Sequence, residues 1–336
     1  MNEPPATAER ASDTVEAGPA LERLKREICR HIIGHDQLVD ELLAAVLAGG
    51  HVLLEGVPGL GKTLLARVLG ATLGLPFARI QFTPDLMPAD IIGTRIVMQD
   101  EAGQRQFEFQ PGPLFTELLL ADEVNRATPK TQSALLEAME ERQVTVGRDQ
   151  HQLSRAFTVL ATQNPIEMEG TYPLPEAQLD RFMLKLTADF PNAEALATIV
   201  DRETAAERAP VEQVFDFAQL DGLRKQTREI ALARHVRDFA VGIMLATHPD
   251  HDTAPAEVRR YVRHGASPRG VLSMILTGKA LALMDGRLNV SFDDIATVAA
   301  PALRHRVLLN FEGEAAGVNA NTLVASIVEA TPRGDS

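Results

Sequence analysis

One run, Gly56-Val57-Pro58-Gly59-Leu60-Gly61-Lys62-Thr63, limits what this chain can fold into more than any other feature of its 336 residues. Glycines at this spacing free backbone N–H groups to wrap a polyphosphate, provided that a strand delivers the loop and a helix starts where it ends. Both neighbours are legible. Residues 51–54 give an apolar strand signal, and Leu64, Leu65, Val68, Leu69 and Leu73 recur at helical spacing. The expected nucleotide contacts are therefore Gly56, Val57, Pro58, Gly59, Leu60, Gly61, Lys62, Thr63 and Leu64. In that arrangement Lys62 reaches the β- and γ-phosphates of ATP and the Thr63 hydroxyl ligates Mg²⁺.

Further apolar runs at 77–82, 117–121, 157–161 and 183–186 alternate with helical patterns, which predicts an α/β fold with a parallel sheet covered by helices. After Pro191 the strand signal stops, and helices are expected over 192–208, 217–230, 236–247, 267–284 and from 291. The chain then divides into a flexible tail over 1–20, a nucleotide-binding αβα domain over 21–190 and an all-helical domain over 191–336. With 45% hydrophobic and 24% charged residues, the composition is that of a globular protein able to bury such cores.

Phosphate chemistry also needs a carboxylate to hold Mg²⁺ and another to orient or deprotonate water. Asp122 and Glu123 end the apolar run Leu118-Leu119-Leu120-Ala121 and are the candidates, Asp122 for the metal and Glu123 for the water. At 158–161 a second strand delivers Thr162-Gln163-Asn164-Pro165 to its C-terminal end, where open α/β sheets bind ligands, and Asn164 is placed to hold the attacking water. Arg181, in Leu179-Asp180-Arg181-Phe182, is either a paired surface residue or a functional cation. Arg269 follows Ser267 and Pro268, which read as N-cap and first residue of a helix. A cation there opposes the helix dipole and calls for a nearby anion, which a nucleotide phosphate would supply.

The order of these motifs resembles the AAA+ ATPases, and the linking text is similar to the MoxR family of that class. The resemblance is carried by 49–56, by Asp122-Glu123-Val124-Asn125-Arg126-Ala127, by 174–182 (Leu174-Pro175-Glu176 through Phe182) and by Gly265-Ala266-Ser267-Pro268-Arg269. It spans roughly 21–330. It implies an AAA+ αβα domain followed by a helical lid, with Asn164 as sensor 1, Arg269 as sensor 2 and Arg181 as an arginine finger acting on a neighbour's ATP. It also implies adenine contacts from Ile33 and Gly34, with His35 standing where glutamine is common. A homo-oligomeric, six-membered ring is implied too, together with a client protein and a von Willebrand A-domain partner. The segments 82–112 and 143–153 resemble family insertions that face the pore or the substrate.

The formal charge of −13, from 46 acidic and 33 basic residues, disfavours nucleic acid as a partner, as does the lack of an appended DNA-binding module. The single cysteine, Cys29, has no internal disulfide partner. With no secretory leader and no apolar run near the roughly 18 residues a spanning helix needs, the expectation is a cytoplasmic protein without direct membrane insertion. ATP hydrolysis driving a chaperone-like motor that remodels, activates or assembles a client, or inserts its cofactor, is the expected function. A nucleic-acid motor or an ATP-controlled scaffold with little turnover are the alternatives built on the same core.

Overall fold

The computed structural model describes residues 6–57, 59–99, 105–164, 171–205 and 209–334. Five strands build its central sheet: β1 (Val52–Glu55), β2 (Phe77–Gln81), β5 (Leu118–Asp122), β8 (Thr158–Gln163) and β9 (Leu184–Thr187). Two antiparallel ribbons, β3 (Gly93–Gln99) with β4 (Arg105–Pro111) and β6 (Gln143–Val146) with β7 (Asp149–Gln152), stand outside it. The sheet runs β2-β5-β8-β1-β9, all parallel, so the phosphate-loop strand lies between β8 and the edge strand β9. Each strand lies within two residues of the run that announced it.

Alternation along these strands sorts the core into two faces. Leu53, Leu119, Ala121, Val159 and Ala161 point to one apolar cluster, under α4 (Pro88–Ile92) and α5 (Pro129–Glu141). Val52, Leu54, Leu118, Leu120, Leu160, Leu184 and Leu186 point to the other, formed with α1 (Ala6–His31), α2 (Asp36–Ala48) and α3 (Lys62–Thr72). The three inner strands are buried almost throughout, as a parallel sheet covered on both faces requires.

The segment expected as a flexible tail is different in the structure: α1 begins at Ala6, and Ala17 is already buried. Alanine and glutamate favour a helix without producing apolar periodicity, so the pattern gave no sign of it. Past residue 190, α6 (Glu176–Leu179) and β9 give way to α7 (Ala193–Glu203), α8 (Phe217–Glu229), α9 (Arg234–Ala246), α10 (Ala256–Tyr261), α11 (Pro268–Met284), α12 (Phe292–Leu303), α13 (Phe311–Ala315) and α14 (Ala320–Ala330). Among the described residues this part is helical except for a short ribbon of β10 (Val262–His264) and β11 (Leu308–Leu309), an isolated bridge between Ala231 and Asn289, and the connecting loops. Its apolar residues, Val298 and Leu323 among them, join the cluster under α1–α3, so the change of class at residue 190 is not a break in the core. Of the two insertions, 143–153 is the β6–β7 hairpin turned by Gly147 (φ 68°), and 82–112 holds α4 and the β3–β4 ribbon.

Candidate active site

The phosphate loop leaves β1 at Glu55 and returns as α3 at Lys62. Gly59 (φ 88°) and Gly61 (φ 73°) adopt left-handed backbone, and a Cβ added at either would meet nothing within 4 Å, so the demand for glycine there is conformational. Gly56 is glycine for space: its Cβ would lie 3.0 Å from the Ala188 Cβ. Lys62 Nζ donates to the Gly56 carbonyl at 2.6 Å. Val57, Leu60 and Thr63 are half-buried around the turn and Leu64 is exposed on the first turn of α3; Pro58 lies outside the described residues. Helix α3 has neither a side-chain cap nor an acidic residue in its first turn, which suits an anion at its N-terminus.

Asp122 and Glu123 stand at the end of β5, one strand removed from the loop, with β8 between them. Thr162, fully buried on β8, ties the pair together: its hydroxyl donates to Asp122 Oδ1 at 2.6 Å and accepts the Glu123 N–H at 2.9 Å. Glu123 has left-handed backbone (φ 57°, ψ 49°), an unusual state for a residue with a Cβ and one held here by that bond. Its Oε2 accepts from Gln81 Nε2 at 2.7 Å and from Arg126 at 3.1 Å. Arg79 donates to Asp122 Oδ2 through Nε (3.1 Å) and a terminal nitrogen (2.8 Å). Asn164, at the end of the strand between loop and acid pair, is buried, and Pro165 lies outside the described residues. The Thr63 hydroxyl and the Asp122 carboxylate are hard oxygen donors of the kind Mg²⁺ takes, and a carboxylate that already accepts from Thr162 and Arg79 keeps lone pairs for more.

Ile33 and Gly34 form the turn between α1 and α2. Gly34 (φ 78°) packs so closely on α7 that a Cβ would sit 2.8 Å from that of Ala195. Beside this turn, Gly34, His35, Thr187, Asp189 and Arg304 line a cavity of about 200 Å³, adjacent to the Ala188 that touches Gly56. The phosphate loop, the acid pair, Asn164 and the Ile33–Gly34 turn thus converge on the C-terminal ends of the strands.

The two arginines do not. Arg181 precedes β9, and Met183 donates its N–H to the His51 carbonyl, just before β1 begins. Arg181 therefore sits at the N-terminal ends of the strands, about 13 Å from the phosphate loop along the four residues of β1. It donates to the Leu136 carbonyl at 2.6 Å and pairs with Glu140 at 2.8 Å, both on α5. Arg269 joins it there, pairing with the same Glu140 and, at 3.5 Å, with Asp180. Its helix start is as expected, with the Ser267 hydroxyl accepting the Arg269 N–H, but the compensating anions are two carboxylates, and the chain's own phosphate loop is at the other end of the sheet. Arg306, almost fully buried, bonds Asp180 at 2.7 Å and braces the group.

Arg79, Gln81 and Glu140 went unnoticed in the sequence. Arg79 and Gln81 share a face of β2 in register with Asp122, and the pairing of two polar residues at alternate positions is the only local sign of them.

Known proteins bear on this arrangement. Residues 51–184 match the model of the ATPase family associated with various cellular activities (AAA), and 255–327 match an AAA lid domain. Chaperone MoxR1 of Mycobacterium tuberculosis is 40% identical over 97% of this chain and 85% of its own length. Protein MoxR of Paracoccus denitrificans is 31% identical over 83% of this chain and 86% of its own. A crystal structure of a candidate ATPase from Cytophaga hutchinsonii superimposes with a TM-score of 0.88 at 36% identity, covering 97% of this chain and 98% of that one. With a phosphate loop, an acid pair and a helical lid in this order, and relatives of this identity along nearly its whole length, the chain belongs to the MoxR family of AAA+ ATPases.

Proposed function

We propose that the chain binds ATP with Mg²⁺, hydrolyses it, and as a homo-oligomeric ring spends the energy on remodelling or activating a client protein. The observation that carries this reading is the division of the chemistry between the two ends of one sheet. The C-terminal end offers a phosphate cradle, Lys62, Asp122, Glu123 and Asn164. The N-terminal end offers Arg181 and Arg269, which do not reach that cradle within one subunit. A head-to-tail contact brings one end of a subunit against the other end of its neighbour, and such contacts close into rings. A cation delivered there stabilises the charge developing on the γ-phosphate.

In this scheme Glu123, fixed by Thr162 and Gln81, orients the attacking water and takes its proton, and Asn164 holds that water from the β8 side. Lys62 exchanges the Gly56 carbonyl for phosphate oxygens. Mg²⁺, held through Thr63 and Asp122, supplies neutralisation of the phosphate charge. The Ile33–Gly34 turn and His35 bound the space for the base. A von Willebrand A-domain partner and a six-membered ring follow from family likeness alone. The nucleic-acid reading draws no support from the basic run on the lid. Arg259 bonds the backbone carbonyls of Ala254 and Asp252, Arg260 pairs with Glu312, and Arg263 with Glu176.

The test is ATP hydrolysis per subunit over rising protein concentration, for the wild type and Arg181→Ala. A specific rate that climbs with assembly and collapses in the variant is expected; a flat rate indifferent to Arg181 refutes the shared site.

A further inference from the structure

Arg181 comes from the core and Arg269 from the lid, yet both end on one side chain, Glu140 in the last turn of α5. Glu140 Oε2 takes Arg181 and Oε1 takes Arg269, one arginine per oxygen. Helix α5 is well fixed at this point. The Leu136 carbonyl receives Arg181, the Met139 carbonyl receives His51 Nε2, and Arg142 reaches back to the Gly49 carbonyl at 3.1 Å. Three guanidiniums, those of Arg181, Arg269 and Arg306, meet here with the carboxylates of Glu140 and Asp180, leaving one positive charge in excess. The Arg181 side chain is still 28% exposed, so part of its guanidinium faces the surface while Glu140 and the Leu136 carbonyl hold it.

We propose that Glu140 is the positioning residue of this arginine pair, presenting Arg181 and Arg269 together to the neighbouring subunit's nucleotide. The proposal rests on the reading of Arg181 as a residue that acts in trans. Two adjacent guanidiniums repel each other, and a carboxylate with an oxygen for each cancels that repulsion while setting their spacing. Because Glu140 belongs to the core and Arg269 to the lid, the pair is complete only with the lid seated on the end of α5. The brace is built in the same way: Ser267 donates to Asp180 at 2.7 Å, and Arg306 grips that same carboxylate from the lid. Glu140 lies at the other end of the sheet from the phosphate loop and acts through the arginines it pairs with.

Glu140→Gln tests this. Glutamine has the same size but offers one acceptor oxygen and an amide that repels the second arginine. Steady-state ATP hydrolysis should show kcat at least tenfold lower. KM and the affinity for a fluorescent ADP analogue should stay within twofold, since the phosphate loop is at the far end of the sheet, and assembly by sedimentation velocity should not change. Adding Glu140→Gln to the double variant Arg181→Ala/Arg269→Ala, in which neither arginine remains to be positioned, should cause no further loss. Mixing Glu140→Gln with Glu123→Gln, whose arginine pair is intact, should restore hydrolysis, as it should for Arg181→Ala; a purely structural defect is not rescued by a neighbour. A wild-type rate in Glu140→Gln beside a crippled Arg181→Ala overturns the proposal alone. So does a further loss when Glu140→Gln is added to Arg181→Ala/Arg269→Ala, or a loss that mixing fails to repair while Arg181→Ala recovers. A wild-type rate in Arg181→Ala refutes the underlying reading and takes the proposal with it.

Discussion

Replacing Thr162 by valine keeps the shape of a fully buried side chain and removes one oxygen. That oxygen donates to the Asp122 carboxyl oxygen Oδ1 and accepts the Glu123 N–H. Losing a hydrogen bond to a charged group costs about 1.5–3 kcal/mol, and a buried N–H left without an acceptor costs about 1–3 kcal/mol. The two are coupled through one atom, so the sum is less than additive, and about 3 kcal/mol of folding stability is the expected loss. The functional consequence is larger. Left-handed backbone at a non-glycine residue costs on the order of 1–3 kcal/mol, and at Glu123 the Thr162 bond is part of what holds it. Without it Glu123 relaxes toward right-handed backbone and its carboxylate leaves the position set by Gln81. With Glu123 as the general base proposed above, its misplacement costs on the order of 10²-fold in rate. Urea denaturation and steady-state hydrolysis measure the two effects, with Thr162→Ser, which keeps the hydroxyl, as the near-wild-type control. A valine variant destabilised by less than about 1 kcal/mol with unchanged kcat would show that the Asp122–Thr162–Glu123 link holds nothing in place.

Two other groups give predictions through their burial. His51 accepts the Val159 N–H at Nδ1 and donates from Nε2 to the Met139 carbonyl, a pattern that only the neutral ring makes. Burial, opposed by the Met139 bond and helped by Arg142 and Arg224, pulls it from 6.5 down to about 4. Between those values the unfolded chain binds the extra proton, so stability is lost as pH falls from 6.5 toward 4, about 2 kcal/mol of it by pH 5. The stability difference between wild type and His51→Gln should narrow by that amount between pH 7.5 and 5; a constant difference would mean that His51 titrates normally in the fold. Cys29 is pushed up to about 12, first by burial and then by Asp36. Its alkylation by iodoacetamide at pH 8 should be about a thousandfold slower in the native chain than in urea, read by mass spectrometry, and equal rates would contradict the burial.

What was legible in the sequence had its cause close by along the chain. The phosphate loop is visible because its glycines, Lys62 and Thr63 act as neighbours, and the acid pair because it ends an unbroken apolar run. Two polar residues after a third such run mark the site of Thr162 and Asn164 without saying that Thr162 is the bridge. Arg269 shows where local reasoning stops. A cation in the first turn of a helix does need an anion, and that need is met, but by Glu140, 129 residues away, where a phosphate was expected. Nothing in Met139-Glu140-Glu141 distinguishes Glu140 from its neighbour; only the reach of Arg269, from the start of α11, to the end of α5 does.

The edge strand β9 connects the phosphate loop with the arginine pair. At its C-terminal end Ala188 lies against Gly56 of the phosphate loop, and Arg304 bonds Thr187 at 3.0 Å. At its N-terminal end Asp180, Phe182 and Met183 are held by His305 and Arg306, beside the arginine pair. Arg304, His305 and Arg306 are consecutive, so one turn of the lid grips both ends of a strand only four residues long. The lid cannot shift along β9 without altering either the contact at Gly56 or the seat of Arg269 on Glu140. In the ring proposed above, a subunit's own loop and the arginine pair it presents to its neighbour are therefore joined through this one turn of the lid.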